Sequence, residues 1–194
     1  SINLAQDTAS GGHATGDTLN HIQNLTGSLF NDNLVGNDEA NILEGGRGAD
    51  RLDGGVNEDS SEHDLASYEH SAGGLTVSLL SPTKNTGEAK GDTYIGIEGV
   101  IGSTFDDVLE GNNVANTIKG GAGNDILIAG AGADKLYGGT GFDTLSYRNA
   151  GAGITLNLAN WTASSAIVAD DRSDKNIEAF ECTKFGDTLI ADKQ

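Results

Sequence analysis

Gly120-Gly121-Ala122-Gly123-Asn124-Asp125-Ile126-Leu127-Ile128 runs straight into Ala129-Gly130-Ala131-Gly132-Ala133-Asp134-Lys135-Leu136-Tyr137 and then into Gly138-Gly139-Thr140-Gly141-Phe142-Asp143. One nine-residue pattern thus recurs in three consecutive units: glycine or alanine, glycine, a spacer, glycine, a spacer, aspartate, then three residues with an aliphatic one in the middle. The three-residue tail suffices for a strand that buries one side chain, here Leu127, Leu136 and Leu145, and six glycine-rich residues then reverse the chain. Glycines in that turn permit positive φ and leave the carbonyl oxygens uncovered.

Working outward, the same frame begins at Gly102, Gly111, Gly120, Ala129 and Gly138, and in an earlier block at Gly27, Gly36, Gly45 and Gly54, with Leu34, Leu43 and Leu52 inward. The earlier block is degraded. Gly27-Ser28-Leu29-Phe30 and Gly36-Asn37-Asp38-Glu39 have lost glycines, and residues 56–63 form an acidic loop where a regular unit should stand.

The sixth position carries the chemistry. Turn formation alone would accept asparagine or serine freely, yet aspartate recurs there. A hard cation such as calcium takes 6 to 8 oxygen ligands, and one such turn offers only a carboxylate and a few carbonyls. A second turn has to complete the shell. If successive units alternate between two sheets, turns two units apart stack, which pairs Asp32 with Asp50, Asn41 with Asp59, Asp107 with Asp125, Asn116 with Asp134 and Asp125 with Asp143. The candidate ligands are therefore the sixth residues Asp32, Asn41, Asp50, Asp59, Asp107, Asn116, Asp125, Asp134 and Asp143. The turn carbonyls join them, from Gly45, Gly46 and Gly48, from Gly120, Gly121 and Gly123, from Gly130 and Gly132, and from Gly138, Gly139 and Gly141. Asn41 and Asn116 would supply neutral oxygens and weaker sites.

This glycine- and aspartate-rich nonapeptide resembles the RTX (repeats-in-toxin, hemolysin-type calcium-binding) family. The resemblance implies an all-β fold, a right-handed parallel β-roll with several Ca2+ ions between stacked turns. It also implies a bacterial parent, secreted or held at the cell surface, exported unfolded by a type I secretion machinery and folding outside. About five ions, each at ~10 times its dissociation constant, would contribute roughly 1.4 kcal/mol apiece and ~7 kcal/mol together, comparable with the whole stability of an ordinary domain. Binding and folding are then expected to be one event.

Composition agrees. Hydrophobic content of 36% looks low until 29 glycines among 194 residues are counted, about twice the usual ~7%; one proline and no methionine suit a stack of small side chains better than a large central core. The charge of 11 minus 29, or −18, argues against nucleic acid and anionic membrane as direct partners and for a chain that stays loose until cations neutralise its turns. The single cysteine, Cys182, permits no internal disulfide. His13, His21, His63 and His70 share no metal-ligand spacing. No apolar run is long enough to span a bilayer, and no cleavable signal peptide is recognisable. Ser1 is not a natural start and the chain opens inside a repeat, so a piece of a longer protein is expected.

A longer period overlies the short one. Gly16-Asp17-Thr18 recurs as Gly91-Asp92-Thr93 and Ala40-Asn41 as Ala115-Asn116, an offset of 75; Asp64 to Tyr68 then recurs as Asp143 to Tyr147 at 79. Three parts follow: residues 1–68 with the first block, 69–147 with linking strands and the second block, and 148–194 with C-terminal strands and a partial third copy, together one elongated unit. The linking segments 65–99 and 145–178 read as strands that either continue the path as wider rungs or form a small capping sheet. Ile22, Leu25, Ile97, Val100, Ile177 and Phe180 recur at matching places and are expected in the core. Tyr68 and Tyr147 should pack at a transition between rungs.

No Gly-x-Ser-x-Gly elbow or other nucleophile arrangement appears, so the module reads as non-enzymatic. One rival is a polysaccharide-binding repeat module like those accompanying alginate-modifying epimerases, but Lys84, Lys90, Lys119, Lys135 and Arg148 are too few and too dispersed for a basic stripe. An enzyme built on the solenoid would need catalytic acids or bases and cationic groups that cannot be assembled here. An adhesin or toxin spacer would differ only in its parent.

Overall fold

The computed structural model describes residues 1–56, 63–165 and 171–191. Regular structure among them is almost entirely β: mostly three-residue strands, with single 3-10 turns at Leu4–Gln6, Gly12–Ala14, Pro82–Lys84 and Gly87–Ala89. The strands form one sheet of ten and two sheets of five, nearly all paired in parallel.

The nonapeptide explains the pairing. Val108–Glu110, Ile126–Ile128 and Thr144–Ser146 lie side by side in one five-stranded sheet, with Leu109 opposite Leu127 and Leu127 opposite Leu145. The strands between them in sequence, Thr117–Ala122 and Lys135–Thr140, pair in the ten-stranded sheet, with Ile118 opposite Leu136. Each strand's neighbour is therefore two units away, as alternation requires. In the three-residue strands of the repeat blocks the middle residue is a buried leucine, so the core there is a file of single side chains. Leu34, Leu43, Leu52, Leu109, Ile118, Leu127, Leu136 and Leu145 are all essentially inaccessible to solvent.

The linking segment 65–99 adds strands to the same sheets. Leu65–Ser67 pairs with both Ile42–Glu44 and Gly99–Ile101, Thr76–Ser78 with Val108–Glu110, and Thr93–Ile95 with Arg51–Asp53, all in parallel. The later segment departs from this pattern: Thr155–Asn157 and Thr162–Ser164 form an antiparallel pair, and Thr162–Ser164 pairs antiparallel with Asp171–Ser173.

Among the residues expected inside, Leu25, Ile97, Val100 and Ile177 are buried and Phe180 is half-buried, but Ile22 is 41% exposed. Ile22 precedes Asn24–Thr26, the edge strand of the ten-stranded sheet. Among the described residues no further strand covers it there, whereas its counterpart Ile97 packs in the interior.

Candidate metal centre

The turns between strands stack in register, and the sixth residue of each is tied to the turn two units on. The backbone N–H of Asp107 donates to Asp125 Oδ1 at 2.9 Å, that of Asp125 to Asp143 Oδ1 at 2.9 Å, that of Asn116 to Asp134 Oδ1 at 2.8 Å and that of Asp32 to Asp50 Oδ1 at 2.7 Å. These four pairs were expected from spacing. The bond that joins them, backbone N–H to carboxylate, was not.

Asp59 lies outside the described residues. Asn41 donates its N–H to Asp64 Oδ1 at 2.7 Å, so Asp64 completes the pair that spacing assigned to Asp59. A Cβ on Gly54 would collide with Asp64 Oδ2, as one on Gly45 would with Asp50 Oδ2 and one on Gly120 with Asp125 Oδ2. The acidic loop thus inserts five residues between the first and sixth positions of one unit, 64 in place of 59. The rows also extend beyond the nonapeptides. Asp50 donates to Asp92 Oδ1 at 2.8 Å, Asp134 to Asp171 Oδ1 at 2.9 Å and Asp143 to Glu178 Oε2 at 2.8 Å. The signal was faint but present: Asp92 sits in the recurrent Gly91-Asp92-Thr93, and Glu178 in the Ile177-Glu178 that echoes Ile97-Glu98.

One oxygen of each near-consensus aspartate is left over. Oδ2 of Asp50, Asp125, Asp134 and Asp143 is buried and accepts no hydrogen bond. An unpaired buried carboxylate oxygen is costly, and native interiors rarely leave one without a proton, a water or a cation. Main-chain oxygens of the adjoining turns stand close as well: a Cβ on Gly120 would meet both Asp125 Oδ2 and the carbonyl oxygen of Gly138. Gly121, at φ +110°, faces the carbonyl oxygen of Ser103 so closely that a Cβ there would collide with it, and Gly139, at φ +106°, faces the carbonyl of Gly121 in the same way. Gly46 stands against Ser28 O, Gly130 against Asn112 O and Gly132 against Val114 O; the turn of Gly48 meets Phe30, that of Gly123 meets Phe105, and that of Gly141 meets Gly123 O. Gly138 adjoins both Asp143 Oδ2 and Asn176 O.

This donor set is selective. Among the described residues, no three His, Cys, Asp or Glu side chains converge as a metal cluster. A cation here would draw on single carboxylates combined with peptide carbonyls, an all-oxygen set that fits calcium and not zinc or another soft metal. The residues present fit the ion that the repeats imply.

The electrostatics point the same way. Burial pushes Asp125 up to about 7, helped by the charges of Asp107, Asp143 and Asp106, and pushes Asp134 up to about 8, helped by Asp171. Burial likewise raises Asp50, Asp107 and Asp143. These groups hold a proton more tightly folded than unfolded. Without a cation, the contribution of Asp125 and Asp134 to stability is complete below the unfolded value of ~3.9 and disappears as pH rises through about 7 to 8.

Not every sixth residue is left open. Asp32 Oδ2 accepts Ser28 N–H at 2.6 Å, and Asp107 Oδ2 accepts Ser103 N–H at 2.6 Å. The oxygens of Asn41 and Asn116 accept the N–H groups of Asn37 and Asn112, each at 2.8 Å. At the end of one row the buried Tyr68 hydroxyl donates to Asp92 Oδ2 at 2.8 Å, which satisfies that carboxylate from within the protein. Tyr147, at the matching place, is also buried, and burial together with the Asp171 charge raises its phenol. Away from the turns, His63 Nδ1 meets Thr117 Oγ1 at 2.8 Å, His70 meets Glu44, and Trp161 tilts against Phe180.

Residues 26–60 and 110–145 match the family model of the RTX calcium-binding nonapeptide repeat, in four copies. The first block read from the spacing lies within the match, and the second, whose frame begins at Gly102, is matched from residue 110 on. No curated protein matches the chain.

Proposed function

We propose, from the premise that this chain carries RTX calcium-binding nonapeptide repeats, that it is a non-enzymatic module of a bacterial protein whose folding is driven by calcium held between stacked turns. The observation that carries the reading is the set of buried, unpaired Oδ2 atoms on Asp50, Asp125, Asp134 and Asp143, each in a turn whose glycines bring neighbouring carbonyls close. Calcium, when bound, supplies positive charge that offsets carboxylate desolvation and mutual repulsion. The chain's own part is to present the oxygens and keep other groups out: a side chain on Gly45, Gly120 or Gly138 would occupy the space of the carboxylate itself.

The reading extends to a right-handed β-roll running as one elongated unit through residues 1–68, 69–147 and 148–194 and taking up about five ions at roughly 1.4 kcal/mol each when each is near ~10 times its dissociation constant. Parallel strands two units apart in both repeat blocks support this. Export of the parent by a type I machinery, with folding in calcium-rich medium outside the cell, is the biological setting that suits a chain of net charge −18 whose turns need cations. A secreted or surface location follows from that setting.

Far-ultraviolet circular dichroism tests the reading. In chelator at pH 7.5 the strand signal should be weak, should strengthen on acidification to pH 5 as the raised carboxylates take up protons, and should reach its full value with calcium at pH 7.5. Magnesium, which dehydrates reluctantly and demands octahedral geometry, should not substitute. A chain already rich in strand in chelator at pH 7.5, and unmoved by calcium, would refute it.

A further inference from the structure

Two turns differ from the rest in the same way. In Gly36–Asn41 and Gly111–Asn116 the sixth residue is asparagine and the second is also asparagine, Asn37 and Asn112. Asn116 and Asn41 are fully buried. The Asn116 Nδ2 group donates to the Glu98 carbonyl at 3.0 Å and to Asn112 Oδ1 at 3.2 Å, while its Oδ1 accepts Asn112 N–H at 2.8 Å. Asn41 repeats every contact 75 residues earlier: Nδ2 to the Gln23 carbonyl at 2.8 Å and to Asn37 Oδ1 at 3.0 Å, Oδ1 from Asn37 N–H at 2.8 Å. Reversing either amide would set its oxygen against a carbonyl oxygen, so the bonds themselves fix the orientation.

The contrast with the open turns lies at the second position. Where that residue is Gly46, Gly121, Gly130 or Gly139, the sixth-position Oδ2 is unpaired; where it is Asn37 or Asn112, the sixth side chain is closed onto its own turn and onto the turn before. An amide hydrogen of Asn116 points at a carbonyl that, beside an aspartate, would need a cation to bridge the two oxygens.

We infer that Asn41 and Asn116 are amide-closed joints, in which the side-chain NH2 does between turns what calcium does elsewhere, so that the junctions of Gln23 with Asn41 and of Glu98 with Asn116 are held without metal. This rests on the calcium reading of the other turns and refines it. These joints sit at corresponding places, in the second unit of each repeat block, and they give each block one cation-independent junction beside the calcium-requiring turns. They replace the weaker calcium sites that spacing alone suggested for the two asparagines.

Counting bound ions by native mass spectrometry on the calcium-saturated chain tests this. Asn116→Asp exchanges the NH2 donor for an oxygen facing the Glu98 carbonyl and should bind one calcium more than the wild type; Asn41→Asp, at the independent copy, should do the same. At calcium concentrations just sufficient to fold the wild type both variants should be less stable than the wild type, and at saturating calcium they should recover that stability. Folded variants that keep the wild-type count would overturn the inference, as would failure of both to fold in calcium. A wild type that binds no calcium at all would instead overturn the underlying reading, and this inference with it.

Discussion

Asp125→Ala should raise the calcium concentration needed for folding far more than Asp32→Ala. Asp125 serves two junctions: its Oδ1 accepts Asp107 N–H and its own N–H donates to Asp143 Oδ1, each at 2.9 Å. Its Oδ2 is buried and unpaired. Alanine would remove a ligand from the gaps on both sides. If two ions are lost, each near ~10 times its dissociation constant, the loss is roughly 3 kcal/mol, and the missing buried hydrogen bond adds about 1 kcal/mol. That is a large share of a typical stability of ~5 to 15 kcal/mol. Asp32 is half-buried in a degraded unit and its Oδ2 is already satisfied by Ser28, so its removal should cost about 1 to 2 kcal/mol. Urea unfolding at a series of fixed calcium concentrations compares the two; equal shifts would show that the near-consensus turn has no special share in binding.

Gly121→Ala should be nearly as damaging, for a backbone reason. Gly121 has φ +110°, a conformation alanine adopts only under strain, and its Cβ would run into the carbonyl oxygen of Ser103. Strain of ~1 to 3 kcal/mol and overpacking of ~1 to 3 kcal/mol together predict a loss of roughly 2 to 6 kcal/mol. The carbonyl displaced is one of those facing the Asp125 turn, so calcium affinity should fall as well. Gly73→Ala is the control, since nothing lies within 4 Å of a Cβ there, and it should change stability by less than about 0.5 kcal/mol. Thermal unfolding in calcium separates the two; similar melting temperatures would contradict the close stacking of turns.

The parts of this molecule that the sequence disclosed are those governed by period. A nine-residue repeat with one inward aliphatic side chain dictates three-residue strands and neighbours two units apart, and Leu109, Leu127 and Leu145 stack accordingly. The pairing of Asp107 with Asp125 and of Asp125 with Asp143 follows from the same count. Where the count is broken, the carboxylate that arrives is not the one it indicates. Five inserted residues moved the partner of Asn41 from Asp59 to Asp64, a shift hidden from the nine-residue count, although the 79-residue period sets Asp64 opposite the sixth-position Asp143.

Asp92, Asp171 and Glu178 join the rows from irregular segments, likewise outside that count. The division between open and closed turns was visible in the letters, as glycine against serine or asparagine at the second position. Its meaning depends on which N–H reaches which oxygen, and that is set by packing between turns. The antiparallel pair of Thr155–Asn157 with Thr162–Ser164 had no counterpart in the first block from which it might have been inferred.

The most direct test of the central claim is an anomalous difference map from crystals grown in calcium. Peaks should lie in the gaps beside Oδ2 of Asp50, Asp125, Asp134 and Asp143, between the turn carrying each carboxylate and a neighbouring turn. Gaps without a peak, with these carboxylates turned to water or protonated against their neighbours, would contradict the account.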